Sequence, residues 1–261
     1  MNKMQTYSQI KSKYSENVIR RNPEAILKEY LQYELLDSIF KQPGSENLSF
    51  IGGTAIRIVY GSSRFSEDLD FDNFGLAFDE FGKMLNGVIG DMENKGFLIE
   101  FRMVEKGAYH GFIKFPEILK MNGLSNQPGE KILICIDAVR KKKNFEPRQF
   151  ILDGFDVYRR ILVNPIDIVL SQKLMAIIQR KREKGRDFYD ASFLLGSTEP
   201  NYEYIEKQYE INKPGLLDKL EKKMDSLNFK ELAKDVLPFL IKPEDQERVL
   251  SFKEYVEQRL K

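Results

Sequence analysis

At 261 residues the chain is long enough for one large domain, or for a mixed α/β domain followed by a smaller helical one. With 41 Lys and Arg against 40 Asp and Glu, the formal charge of +1 excludes global attraction to nucleic acid or to an anionic membrane and confines such binding to local patches. The single cysteine, Cys135, excludes an intramolecular disulfide, and no run of about 18 apolar residues is present to span a bilayer.

Met1 to Thr6 are polar and lack the apolar centre of a signal peptide, so the expectation is a cytoplasmic protein with no membrane partner. Residues 1–21, rich in Lys, Ser and Asn, read as a flexible arm. Asn22 as N-cap, Pro23 at the first helical position and Glu24 beside the positive helix end then open a helix reaching about Lys41. Leu48 to Ile51 reads as a buried strand, Gly52-Gly53 as a tight turn, Thr54 to Tyr60 as a short helix, and Asp68 to Asp72 as a strand. Apolar residues at helical spacing mark Phe78 to Lys95, with Gly96 as its stop. The runs Phe97 to Val104, Ala108 to Phe115, Lys131 to Arg140 and Phe155 to Val163 carry strand character. Beyond Pro165 every signal is helical, beginning with Asp167 to Arg182 and Arg186 to Leu195. The expected division is an α/β core over 22–163 with a mixed sheet, then a helical C-terminal domain over 164–261.

The chemistry is concentrated in Gly52-Gly53-Thr54-Ala55-Ile56-Arg57 and Arg64-Phe65-Ser66-Glu67-Asp68-Leu69-Asp70-Phe71. Side chains alternate across a strand, so Asp68 and Asp70 share one face while Leu69 and Phe71 enter the core. Two adjacent carboxylates suit Mg²⁺ or Mn²⁺, which complete their shells with water and substrate phosphates. Gly52 and Gly53 allow backbone N–H groups to approach a polyphosphate, and Thr54 and Ser66 offer hydroxyl donors. Arg57 and Arg64 are candidate neutralisers of phosphate charge. A Gly-Gly turn alone is usually only a turn, and an isolated Asp-x-Asp usually a solvated strand edge; their order within about twenty residues is what carries information.

These residues resemble the AbiEii/AbiGii toxin group of nucleotidyltransferases, within the DNA polymerase β-like superfamily. The wider superfamily more often has Gly-Ser where this chain has Gly-Gly. The resemblance continues through Pro165, Asp167, Lys173, Ala176 and the run from Arg180 to Asp190, and residues 196–261 carry no matching motif. It implies a polymerase β-like core and transfer of a nucleoside monophosphate from an NTP with release of pyrophosphate. It also implies a role as toxin beside a cognate antitoxin, with the 3′ end of tRNA as expected acceptor. By the same resemblance Lys173 contacts the nucleotide phosphates and Asp187, at the opening Arg-Asp of the later motif, belongs to the site together with Asp190 and Arg186. By spacing alone Lys173 is an ordinary surface lysine, and Asp187 is a charge favoured at a helix N-terminus.

Polymerase β-like sites take a third carboxylate from a neighbouring strand, and Asp137 is the candidate, as the one charge within the apolar run Ile132 to Val139. Its plain alternative is an ion pair with Arg140 at a strand end. The basic runs Arg140 to Lys143 with Arg148, and Arg180 to Arg186, are candidate RNA-backbone contacts, although charge runs are usually solvated faces. His110, the only histidine, reads as structural, and its solitude argues against zinc hydrolase and Ser-His-Asp chemistry. No Walker motif occurs. Two other readings stay open: nucleotidyl transfer to a small molecule or protein side chain, and a catalytically silent nucleotide-binding module.

Overall fold

A computed structural model describes residues 4–127 and 129–260. The strands are β1 (Leu48–Ile51), β2 (Leu69–Asn73), β3 (Glu100–Glu105), β4 (Tyr109–Pro116), β5 (Lys131–Arg140), β6 (Arg148–Gly154) and β7 (Val157–Val163). They form one sheet in the order β3-β4-β5-β2-β1-β7-β6. It is mixed: β2 runs parallel to β5 and β1 parallel to β7, and the other neighbours are antiparallel. The α/β class and mixed sheet read from the sequence are thus present.

The chain divides into two compact units. The first contains the residues up to Val59, then Phe65–Lys141 and Arg148–Val163, and so holds the whole sheet. Alternation in β5 buries Ile132, Ile134, Ile136 and Ala138, and β4 pairs in register to place Tyr109, Ile113 and Phe115 on the same face. Leu69 and Phe71 of β2 and Phe50 of β1 complete this core, and Phe50 and Phe71 meet at a centroid distance of 5.5 Å. Each such side chain contributes about 1.5–3 kcal/mol through burial.

The helix Pro23–Ile39 is buried nearly all round, acids included. Each of these acids has a cationic partner: Glu29 with Arg57, Glu34 with Lys95, and Asp37 with Lys41, Lys95 and Arg159. Such partners offset the desolvation that otherwise keeps charges out of an interior. The helix Phe78–Asn94 has a conventional apolar face of Phe81, Met84, Leu85, Val88 and Met92, and the chain turns at Gly96, whose φ is +98°.

Three expectations need correction. Residues 1–21 are not a loose arm in their described part: they contain the helices Tyr7–Lys11 and Glu16–Arg21, with Ile10 fully buried. The first is capped reciprocally by Thr6 and Gln9, a Thr-x-x-Gln box that was legible in the sequence. Met1 to Lys3 lie outside the described residues. The segment before β7 holds a further strand, β6, which pairs with β7 as a hairpin turned by Phe155 and Asp156, both at positive φ. The helix expected from Thr54 starts at Gly52, whose φ is +78°.

The second unit comprises Tyr60–Arg64, Lys142–Pro147 and the described residues from Asn164 onward. Its principal helices include Ile166–Gln179, Gly185–Leu195, Tyr202–Tyr209, Lys213–Asp225, Phe229–Val236 and Phe252–Leu260. Asn201, Asn212 and Asn228 each accept backbone N–H groups from the first turn of the helix that follows, which is why those helices begin where they do. Phe188 and Phe252 pack edge to face at 5.1 Å in its core. Among the described residues no helix is long and apolar enough to cross a membrane.

Candidate active site

In the first unit, β2 and β5 run side by side with Asp70 paired to Asp137 in the parallel register. Residues paired in this way project from the same face, and this one is opposite to the face on which Leu69, Phe71, Ile136 and Ala138 are buried. Asp68 precedes β2, and its Oδ1 accepts the backbone N–H of Cys135 at 3.2 Å. The three carboxylates singled out in the sequence therefore gather around adjoining stretches of two neighbouring strands.

The electrostatics at Asp68 are unfavourable to charge. Burial pushes its carboxyl pKa upward, and Glu67 and Asp137 push it the same way, against the Cys135 N–H and a weaker pull from Lys28. Burial, with Asp68 and Asp137 adding to it, also pushes the Cys135 thiol up to about 12, so this half-buried cysteine stays protonated. A cavity of about 410 Å³ opens beside Asp68, lined in part by Lys28, Glu67, Lys131 and Leu133.

Gly52 is required twice over. Its positive φ favours glycine, and a Cβ there would lie 2.1 Å from Asp70 Oδ2. Gly53 is buried in the same helix. The Thr54 hydroxyl donates to the carbonyl oxygen of Asp68, tying the glycine turn to the start of β2. Ser66 contributes its carbonyl as acceptor to Gln32 Nε2 at 3.0 Å. Arg57, expected to meet substrate, forks onto Glu29 at 2.7 and 3.2 Å.

Asp137 does not pair with Arg140. Its Oδ1 lies 2.8 Å from Nδ1 of His110, which stands directly opposite it in the antiparallel register of β4 and β5. The hydrogen bond to Asp137 raises the imidazole pKa. Sequence reading gave His110 only a structural role, and no local signal ties it to Asp137, since the two meet only once β4 and β5 are paired.

In the second unit a buried ionic cluster assembles other residues of the motif. Arg64, 1% exposed, donates from Nε and Nη2 to the two oxygens of Asp190, both at 2.6 Å, and Asp190 is fully buried. Lys173 Nζ lies 3.1 Å from Asp187 and 2.9 Å from Asp190, and Arg180 reaches Asp187 at 2.9 Å. Lys173 is therefore not the exposed surface lysine that spacing suggests; its side chain is 13% exposed. Burial pushes the Asp190 pKa upward, but Arg64 and Lys173 outweigh it and hold the carboxyl below its usual range. Arg186 stacks over Phe239 at 5.3 Å.

The donor set of the first unit has the chemistry of a hard-cation site. Among the described residues no three His, Cys, Asp or Glu side chains close into a ready metal cage. Mg²⁺ does not need one, because it characteristically takes one or two carboxylates and fills its shell with water and substrate phosphates. The burial of Asp68, with Glu67 and Asp137 acting in the same direction against its charge, is the observation with which such an ion fits.

Two solved structures share the fold. The Helicobacter pylori protein JHP933 is 18% identical, with 94% of each chain covered and a TM-score of 0.54. A candidate nucleotidyltransferase from H. pylori is likewise 18% identical, with 95% of this chain and 97% of the other covered and a TM-score of 0.56. No curated protein matches the sequence significantly. Residues 34–258 match the family described as nucleotidyl transferase AbiEii toxin of type IV toxin–antitoxin systems, and the chain therefore belongs to that family of nucleotidyltransferases.

Proposed function

We propose that the chain transfers a nucleoside monophosphate from an NTP to the 3′ end of tRNA, in a metal-dependent reaction that blocks translation until a cognate antitoxin relieves it. The observation that carries this reading is the pairing of Asp70 with Asp137 beside an Asp68 whose environment disfavours its own charge. Asp68, Asp70 and Asp137 are the residues to hold Mg²⁺ or Mn²⁺. Such ions polarise phosphate oxygens and neutralise the charge that develops on departing pyrophosphate.

The chain's own residues do the rest. Asp137 accepts the proton of the attacking hydroxyl as its oxygen bonds to the α-phosphorus, and the bond from that phosphorus to the β-phosphate bridging oxygen breaks, pyrophosphate leaving with the electron pair. Gly52 leaves room for the Asp70 carboxylate, and Gly53 and Ser66 form the surroundings of the phosphates; Thr54, expected to meet them, is fully buried with its one hydroxyl hydrogen committed to Asp68, so its part is to hold the glycine turn. In the second unit, the cations Arg64, Lys173 and Arg180 face the two carboxylates Asp187 and Asp190, an excess of one positive charge among these five groups. Lys173 and Arg180 at the rim of that cluster attract anionic substrate, while Arg64 and Asp190 hold the fold. Arg186 and the exposed Lys142, Lys143, Arg148, Lys181 and Arg182 are the acceptor-binding candidates.

The test is incubation of the purified protein with α-labelled NTPs and total RNA, beside Asp70→Ala. Label in RNA of tRNA size, lost with EDTA and lowered at least about 10²–10³-fold by Asp70→Ala, is the expected result. Label confined to protein or to small metabolites replaces the tRNA acceptor by one of those classes. No labelled product and no Mg²⁺-dependent NTP binding makes the chain a silent module.

A further inference from the structure

Asp137 sits on a strand with its side chain 32% exposed, so its own packing encloses the carboxylate only in part. His110 holds one of its oxygens. Its Nδ1 lies 2.8 Å from Asp137 Oδ1, and since a carboxylate only accepts, the hydrogen belongs to the imidazole. The ring is held in turn by two contacts: its plane lies at 28° to the ring of Phe112 with centroids 6.3 Å apart, and its backbone is fixed opposite Asp137 by the β4–β5 ladder. Its Nε2, 3.3 Å from the carbonyl of Lys106, donates there only when the ring carries both hydrogens. Lys106 is itself fixed by its N–H bond to Ala108 O across the β3–β4 turn at 2.9 Å.

We propose that His110 is a positioning residue: its Nδ1–H pins Oδ1 of Asp137 so that Oδ2 is the oxygen presented to the metal and the attacking hydroxyl. The proposal rests on the reading of Asp137 as a site carboxylate. Carboxylates that serve metals are commonly oriented by a second hydrogen-bonded group, and loss of such a group lowers metal affinity or activity about 10–100-fold. The same reasoning gives a role to the only histidine of the chain, which lies on the half-exposed face of its strand beside Phe112 and Lys114.

The experiment compares wild type, His110→Ala, His110→Asn, Asp70→Ala, Asp137→Ala and the double variant His110→Ala with Asp137→Ala in two assays. One is steady-state nucleotidyl transfer; the other is Mn²⁺ binding followed by electron paramagnetic resonance without turnover. His110→Ala is expected to lower kcat about 10–100-fold and to weaken Mn²⁺ binding about tenfold, with KM for the NTP little changed. His110→Asn, whose amide nitrogen can replace the Nδ1 donor, is expected to recover most of both. In an Asp137→Ala background, His110→Ala is expected to weaken Mn²⁺ binding no further, because the histidine acts through that carboxylate. Wild-type kcat and Mn²⁺ affinity in His110→Ala would overturn the proposal. So would equal losses in the Ala and Asn variants, or a further Mn²⁺ loss without Asp137. If Asp70→Ala transfers nucleotide as fast as wild type, it is the metal-site reading that fails; if Asp70→Ala is inactive and His110→Ala is not impaired, only the positioning role falls.

Discussion

Asp68 and Asp190 are the same side chain, both largely withdrawn from water, and their acidities move in opposite directions. At Asp190 burial works against the charge, but a forked guanidinium from Arg64 and the ammonium of Lys173 overcome it. At Asp68 burial is joined by Glu67 and Asp137, and a single backbone N–H is the chief opposing influence. The difference separates a carboxylate satisfied by its own protein from one whose surroundings oppose its charge, as the proposed cation site requires. A buried ion pair with every hydrogen bond made is costly to break, whereas a carboxylate held against its own electrostatics carries a function that stability does not explain.

The contrast is easiest to break by neutralising each acid in turn. Asp190→Asn is expected to destabilise the protein by about 3–5 kcal/mol, because it strands Arg64 in the interior, and urea unfolding measures the loss. Asp68→Asn, measured the same way in EDTA, is expected to be as stable as wild type or slightly more so, while nucleotidyl transfer collapses. Equal losses in the two variants would erase the distinction. A smaller effect is expected from Gly52→Ala. The left-handed backbone costs about 1–3 kcal/mol, and the Cβ displaces the Asp70 carboxylate, so activity falls further than stability does.

The smallest effect sharpens the comparison with acid. Asp37, 10% exposed at its side chain, is opposed by burial but held below the usual carboxylate range by hydrogen bonds from Lys41, Arg159 and Lys95. A lowered folded pKa means that its contribution is present above the unfolded value and is lost as pH falls through the folded one. Asp37→Asn is therefore expected to cost about 1–2 kcal/mol at neutral pH. The gap from wild type should narrow below about pH 4, as thermal melts across that range report.

Much of this was legible in the sequence where the signal was local. The strand β5 was read to its observed ends because Ile132, Ile134 and Ile136 alternate with more exposed residues, and β2 was displaced by a single residue. The strand β6 escaped because it is mostly exposed and, with Leu152 alone fully buried, presents hardly any apolar alternation. The carboxylates proposed to hold the metal announced themselves by spacing. The long-range pairings did not: Arg64 meets Asp190 across 126 positions, Arg57 meets Glu29 across 28, and His110 meets Asp137 across 27. A motif reveals which side chains have chemistry, but whether an arginine in it faces a substrate or an internal acid is decided by long-range packing, as at Arg64 and Arg57.

Because the second unit borrows Tyr60–Arg64 and Lys142–Pro147 from earlier in the chain, it is not a cassette that a single cut can release. A fragment starting at Asn164 would retain Asp190 and Lys173 but forfeit Arg64, leaving the innermost acid of its helical core without its guanidinium clamp. Ribosomal synthesis faces the same ordering: Arg64 emerges long before Asp190, so the clamp closes only after most of the polypeptide has been made. A cut between the sheet-bearing and helical parts thereby removes a buried partner from the second.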